Sequence, residues 1–174
     1  MLYRFEVELS NVDSGIYKKL DFRISQHPSE TLPYLLTRVL AYILSYQDNL
    51  EFTPQGLGDP DAPALRSIGA NGAIQLWIEI GNPSARRLHK ASKSANQVVI
   101  YTYKNVDVLL NEMRNHEIHR VHEILIYAFT TQFLDHLEAQ LQKSNHWVFI
   151  LQQNEINMTI GEENILSDFQ KIKL

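Results

Sequence analysis

The sequence predicts a mixed α/β (α+β) fold, a β-sheet with helices packed on it. Two apolar runs, Ile74–Ile80 and residues 97–103, are joined by a helical segment, and strands joined through a crossover helix normally lie parallel in one sheet. A hairpin pattern opens the chain over residues 3–24, and a second closes it over residues 147–160.

Taken in order, Tyr3, Phe5, Val7 and Leu9 alternate with Arg4, Glu6, Glu8 and Ser10, the period of a half-buried strand. Residues 11–15 are a turn cluster, and residues 17–24 return as a second strand. Leu32, Leu35, Leu36, Val39, Leu40, Ile43 and Leu44 recur at three and four, giving a helix one apolar face. Pro28 and Ser29 suit its start, and Pro33 blurs that boundary. Residues 56–72, rich in Gly and Pro, read as an irregular loop long enough to be functional. Beyond the central strand–helix–strand unit, Val106–Arg114 is a short helix with Val106, Leu109, Leu110 and Met113 inward. Residues 121–129 read as a strand, and residues 130–142 as a helix using Phe133, Leu134, Leu137 and Leu141. A hairpin around Gln153 and Asn154 follows, and the polar tail after Gly161 is expected to be loosely held.

A chain of 174 residues fits one domain, taken as residues 1–174. With 44% hydrophobic and 21% charged residues it has the composition of a soluble globular protein. Having no cysteine, it forms no disulfide, thiolate metal site or cysteine nucleophile. The first residues are charged early and lack a hydrophobic signal core, and no apolar run reaches the roughly 20 residues of a membrane helix. A cytoplasmic protein without a membrane partner is the expectation. The net charge of −4 limits any contact with DNA or RNA to a local patch.

The most informative residue is Glu79, an acid near the end of an apolar strand. A buried ionised carboxylate costs several kcal/mol unless it is paired, hydrogen-bonded or metal-bound. Ligands of open α/β sheets collect outside the carboxyl ends of strands, which would make Glu79 a site residue. Equally, it could face solvent or pair with an Arg or Lys. Asp59 and Asp61 could join it as hard oxygen donors for Mg2+, or simply shape turns. Arg86, Arg87, Lys90 and Lys93 fall largely on one side of the following helix, suited to a phosphodiester or to solvent. Asn82 as N-cap with Pro83 after it would leave backbone N–H groups for an anion. His116, His119 and His122 lack the spacing of a metalloprotease motif and straddle an expected helix end and loop.

Several blocks occur together and in order: His27-Pro28-Ser29-Glu30-Thr31, Asp61-x-Pro63-Ala64-Leu65 and Leu76-Trp77-Ile78-Glu79-x-Gly81-x-Pro83. Arg86-Arg87-x-x-Lys90-Ala91 and Val98-Val99-x-Tyr101-Thr102-Tyr103 follow. Together they resemble the YaeQ family of bacterial proteins over nearly the whole chain. The resemblance implies a restriction-endonuclease-like core, a variation of the PD-(D/E)XK nuclease fold. It makes Asp61 and Glu79 metal-binding acids, the carbonyl of Ile80 a further ligand, and Glu30, placed on the first long helix, a supporting acid. Phosphodiester cleavage would use Mg2+ to activate water and neutralise charge on phosphate. Gly81 stands where the motif has lysine; Lys90 could supply that amine, with Arg86, Arg87 and Lys93 on phosphate. The alternative is a nucleic-acid-binding or regulatory module that keeps the scaffold without the catalysis.

Overall fold

Alternating burial along the first strand sets the architecture of one of the two units of this computed structural model, which describes residues 1–54 and 56–174. In β1 (Leu2–Asn11) Tyr3, Phe5, Val7 and Leu9 are buried, while the residues between them are half-buried. The structure groups into residues 1–36 with 129–170, and residues 37–128 with 171–174.

The first unit is built on a five-stranded sheet. β2 (Ile16–Ser25) pairs antiparallel with β1, and β8 (Ser144–Gln152) pairs parallel with β1 on its other side. β9 (Glu155–Ile160) and β10 (Glu163–Asp168) continue from β8 as an antiparallel meander, giving the order β10-β9-β8-β1-β2. Its core holds Phe5 edge-on to Trp147, with ring centroids 4.9 Å apart, and Phe149 and Met158 fully buried beside it in the same sheet. The β8–β9 turn falls at Gln153 and Asn154 as expected. Both adopt positive φ, and Asp13 accepts hydrogen bonds from their backbone N–H groups at 2.7 and 3.3 Å. α4 (Thr131–Gln140), capped by Thr130, buries Phe133, Leu134 and Leu137. After Gly161, where a loosely held tail is the expectation, the chain instead forms β10 and the short β11 (Gln170–Ile172).

The second unit holds a six-stranded sheet in the order β11, β7 (Leu125–Ala128), β6 (Ala95–Thr102), β5 (Ile74–Ile80), β4 (Leu65–Ile68) and β3 (Leu50–Phe52). β5, β6 and β7 are parallel, as the crossover pattern requires. α2 (Ala85–Ser94) joins β5 to β6, and α3 (Val106–Arg114) lies between β6 and β7 with the bounds expected. Trp77, Leu88, Val98, Ile100, Leu109 and Ile126 belong to one buried cluster that ties both helices to one face of the sheet. The boundary between units falls inside α1 (Leu32–Leu44), where Thr31 accepts from the Tyr34 N–H and Pro33 occupies the first turn. The helix therefore starts later than the Pro28-Ser29 signal suggests.

Two further stretches differ from expectation. The stretch read as a loop over residues 56–72 contains β4 (Leu65–Ile68), which pairs antiparallel with β5, and β3 (Leu50–Phe52) pairs with β4. These strands are three and four residues long, too short for periodicity to separate from their Gly- and Pro-rich surroundings. The strand expected over residues 121–129 keeps only β7, because Arg120 takes a left-handed conformation and residues 121–123 form a 3-10 turn. Among the described residues, no helix is long and apolar enough to cross a membrane.

A candidate acid–cation site at the end of β5

Period-two geometry puts Trp77 and Glu79 on the same face of β5, the face covered by α2. Glu79 is only 4% exposed. Its charge is met from two directions. The Trp77 indole N–H donates to Oε1 at 2.8 Å. Arg87 donates through Nε to both carboxylate oxygens at 3.2 Å and through Nη2 to Oε1 at 2.9 Å. The same guanidinium donates to the carbonyls of Pro60 and, at 2.8 Å, Ala62. Arg87 thus joins the strand end to the 60–62 segment on either side of Asp61. Glu79 therefore does not face solvent but pairs with an arginine.

Asp61 meets Lys90, with Nζ 3.0 Å from Oδ1. Both side chains are largely exposed, at 73% and 50%. The Lys90 ammonium, helped by Arg86 and Arg87, holds the Asp61 carboxyl below its usual range. Asp59 shapes the turn: its Oδ1 accepts from the Asp61 N–H at 2.9 Å, and its carbonyl accepts from Ala62. Arg86 and Lys93 are exposed and form no ion pair among the described residues.

The start of α2 differs from expectation. Ser84, not Asn82, is the N-cap, its Oγ accepting from the Arg87 N–H at 3.2 Å. The Ala85 N–H donates to Glu112 Oε1 at 3.1 Å, so a carboxylate of the chain itself already lies at the helix N-terminus. Ile80 ends β5, and Gly81 takes φ +86° while donating to the Tyr101 carbonyl at 2.9 Å. A side chain at 81 would sit on a strained backbone, which favours glycine there. The Lys104 side chain lies beside that position, its Cε 4.0 Å from an added Cβ.

Glu30 lies two residues ahead of α1 rather than on it, in the first unit. It is 7% exposed, and its Oε1 accepts from the His27 N–H at 3.0 Å. The three histidines are not brought together. His116 Nδ1 lies against the Glu112 carbonyl, the His119 N–H donates to His89 Nδ1, and His122 Nδ1 meets the Leu174 carbonyl. Among the described residues, no group of three or more His, Cys, Asp or Glu could hold a metal.

Mg2+ needs less than that, binding through one or two carboxylates and keeping its own waters. The oxygen atoms of Glu79, Pro60 and Ala62 already surround one positive group, the Arg87 guanidinium, with Asp61 between the two carbonyls. In donor chemistry this fits a small hard dication. A second positive charge at 4 Å from the guanidinium would be repelled by about 4 kcal/mol per unit charge at an effective dielectric of 20. A metal placed there would therefore have to compete with Arg87 for Glu79.

Sequence reasoning missed two roles. Trp77 stands in the sequence only as part of an apolar run, although its i, i+2 relation to Glu79 signals a shared face. Arg87 reads as a phosphate ligand, whereas here it is the counter-ion of Glu79.

The family model described as YaeQ protein matches residues 1–168. The uncharacterised YaeQ proteins of Escherichia coli K12 and Salmonella typhi are each 32% identical over 104 residues, covering 60% of this chain. The match spans 57% of the length of these curated relatives. Among solved structures, the YaeQ protein from Xanthomonas axonopodis pv. citri superposes with a TM-score of 0.91 at 27% identity, covering 99% of this chain and 97% of that one. The YaeQ protein from Pseudomonas syringae gives 0.87 at 26%, covering 99% and 95%.

Proposed function

The chain belongs to the YaeQ family, and from that premise we propose that Asp61 and Glu79 form a Mg2+-dependent phosphodiester site on a PD-(D/E)XK-like core. One observation carries this reading: the Glu79 carboxylate of β5 and the carbonyls of Pro60 and Ala62 converge on one shared cation, at the carboxyl end of a strand parallel to β6. Glu79 and Asp61 would hold Mg2+, with the Ile80 carbonyl as the further donor implied by the family. The metal would supply Lewis acidity and a water of lowered pKa. Trp77 fixes the Glu79 carboxylate through Oε1, while Lys90 lowers the Asp61 pKa. Arg86 and Lys93 offer charge to a DNA or RNA backbone along the exposed side of α2.

Incubation with single- and double-stranded DNA and RNA in Mg2+ or Mn2+ tests the proposal. Cleavage by the wild type that is lost in Glu79→Ala supports it. Identical background cleavage by both proteins overturns it for those substrates.

A second reading has its own support. Both acids already carry a cationic partner, and Gly81 offers no lysine. These features favour a module that binds nucleic acid without cutting it. Binding that persists in EDTA and weakens steeply with salt would favour this class.

A further inference from the structure

We propose that Arg87 is an exchangeable counter-ion that keeps the site latched until a divalent cation replaces it on Glu79. The inference rests on the metal-dependent reading above and names the regulation of that site.

Glu79 sets the constraint. A carboxylate 4% exposed must keep a positive partner, because an unpaired buried charge is strongly destabilising. Arg87 fills that role now, and its geometry makes it more than an ion pair. Nε and Nη2 engage the carboxylate, while Nη1 and Nη2 engage the carbonyls of Pro60 and Ala62. One planar group thus fixes the strand end and the backbone on both sides of Asp61.

Oε1 already accepts from Trp77 and from two nitrogens of Arg87, so its lone pairs are saturated. Among the described residues Oε2 accepts from Nε alone, so it has capacity left. A dication arriving there meets a guanidinium at hydrogen-bond distance, and like charges in so small a space exclude one another. Once the dication neutralises Glu79, Arg87 is no longer needed by the buried acid. Leaving it also removes the donors to Pro60 and Ala62, so the segment bearing Asp61 is untied at the same moment. Arg87 is about one-third exposed, so the released guanidinium can reach solvent or the phosphate of a nucleic acid. Metal entry, loosening of the 60–62 segment and appearance of a phosphate-binding arginine are then one event.

The test uses the wild-type chain labelled with 15N, titrated with MgCl2 against a NaCl control of equal ionic strength. The Trp77 indole N–H reports a cation on Glu79, and the Arg87 Nε–H reports release. Trp77→Phe and Arg87→Lys assign these signals, and the Trp147 indole, fully buried in the other unit, serves as internal reference. Saturable movement of both signals, with Arg87 Nε–H exchanging with solvent at least about tenfold faster, supports the latch. Movement of Trp77 with Arg87 unchanged overturns the latch and leaves the metal-site reading standing. No movement of either signal overturns both.

Arg87→Lys gives a second, independent readout by calorimetry. Lysine keeps the charge but cannot bridge in the same planar way, so Mg2+ should bind about tenfold more tightly than to wild type. Unchanged or weaker Mg2+ binding in this variant overturns the latch.

Discussion

Arg87 and Lys90, one turn apart on α2, hold the same short segment by different means. Arg87 grips the backbone carbonyls of Pro60 and Ala62, and Lys90 grips the side chain of Asp61 between them. The two contacts differ in environment, and so should their removal.

Arg87→Met leaves Glu79 buried without its cation. Breaking a buried pair costs about 3–5 kcal/mol, and the partial exposure of Arg87 moves the expectation toward about 2–3 kcal/mol. Thermal unfolding should show a Tm lowered by roughly 5–10 °C for a chain of this size. Adding Glu79→Gln should recover part of the loss, because the orphan charge is gone. A double variant as unstable as the sum of the two single ones would refute the pairing.

Lys90→Met should barely alter stability, since exposed pairs contribute little. It should instead raise the Asp61 midpoint toward the ordinary aspartate value of 3.8. The sign follows from the lowered folded value: the contribution is present above the unfolded value and is lost as pH falls through the folded one. Carboxyl 13C chemical shifts across an acid titration measure it.

His146 predicts the opposite pH dependence in the first unit. Its ring faces Glu8 at 3.0 Å and Glu6 at 3.6 Å, and these carboxylates raise its pKa above 6.5. The contribution is complete below the unfolded value and disappears as pH rises through the higher folded one. Denaturant unfolding from pH 6 upward should show a decline that His146→Gln abolishes.

Gly81→Ala tests backbone strain rather than space. An added Cβ would meet only Lys104 Cε at ordinary contact distance, yet φ is +86°. A loss of about 1–2 kcal/mol in chemical denaturation is expected. A neutral substitution would show that β5 can end in another conformation.

Much of this fold was legible wherever apolar residues recur over a long enough stretch. The positions from Leu32 to Leu44 gave α1, and Val106 to Arg114 gave α3 with both ends in place. Short elements were not legible. β3 and β4 are defined by their partners across the sheet, and β10 exposes Leu166 while burying only Ile165. At the candidate site, Glu79 announced itself as an acid in an apolar run. Which cation it meets depends on where α2 packs, and nothing in the spacing singles out Arg87 from Arg86. The N-cap slipped from Asn82 to Ser84 for a similar reason, since both residue types can cap and only the path of the chain after Gly81 decides.

The parallel pairing of β1 with β8 has a consequence in time. Asn145 donates to the Arg4 carbonyl across 141 residues of chain, and every residue of the second unit but its last four lies between them. Closing so long a loop is slow compared with forming local contacts. During synthesis, at about 5–20 residues per second, the β1–β2 hairpin must wait several seconds for its neighbour, while residues 37–128 already carry nearly all of their own sheet. The segment bearing Glu79 and Arg87 can therefore assemble before the first strand of the protein has found its place.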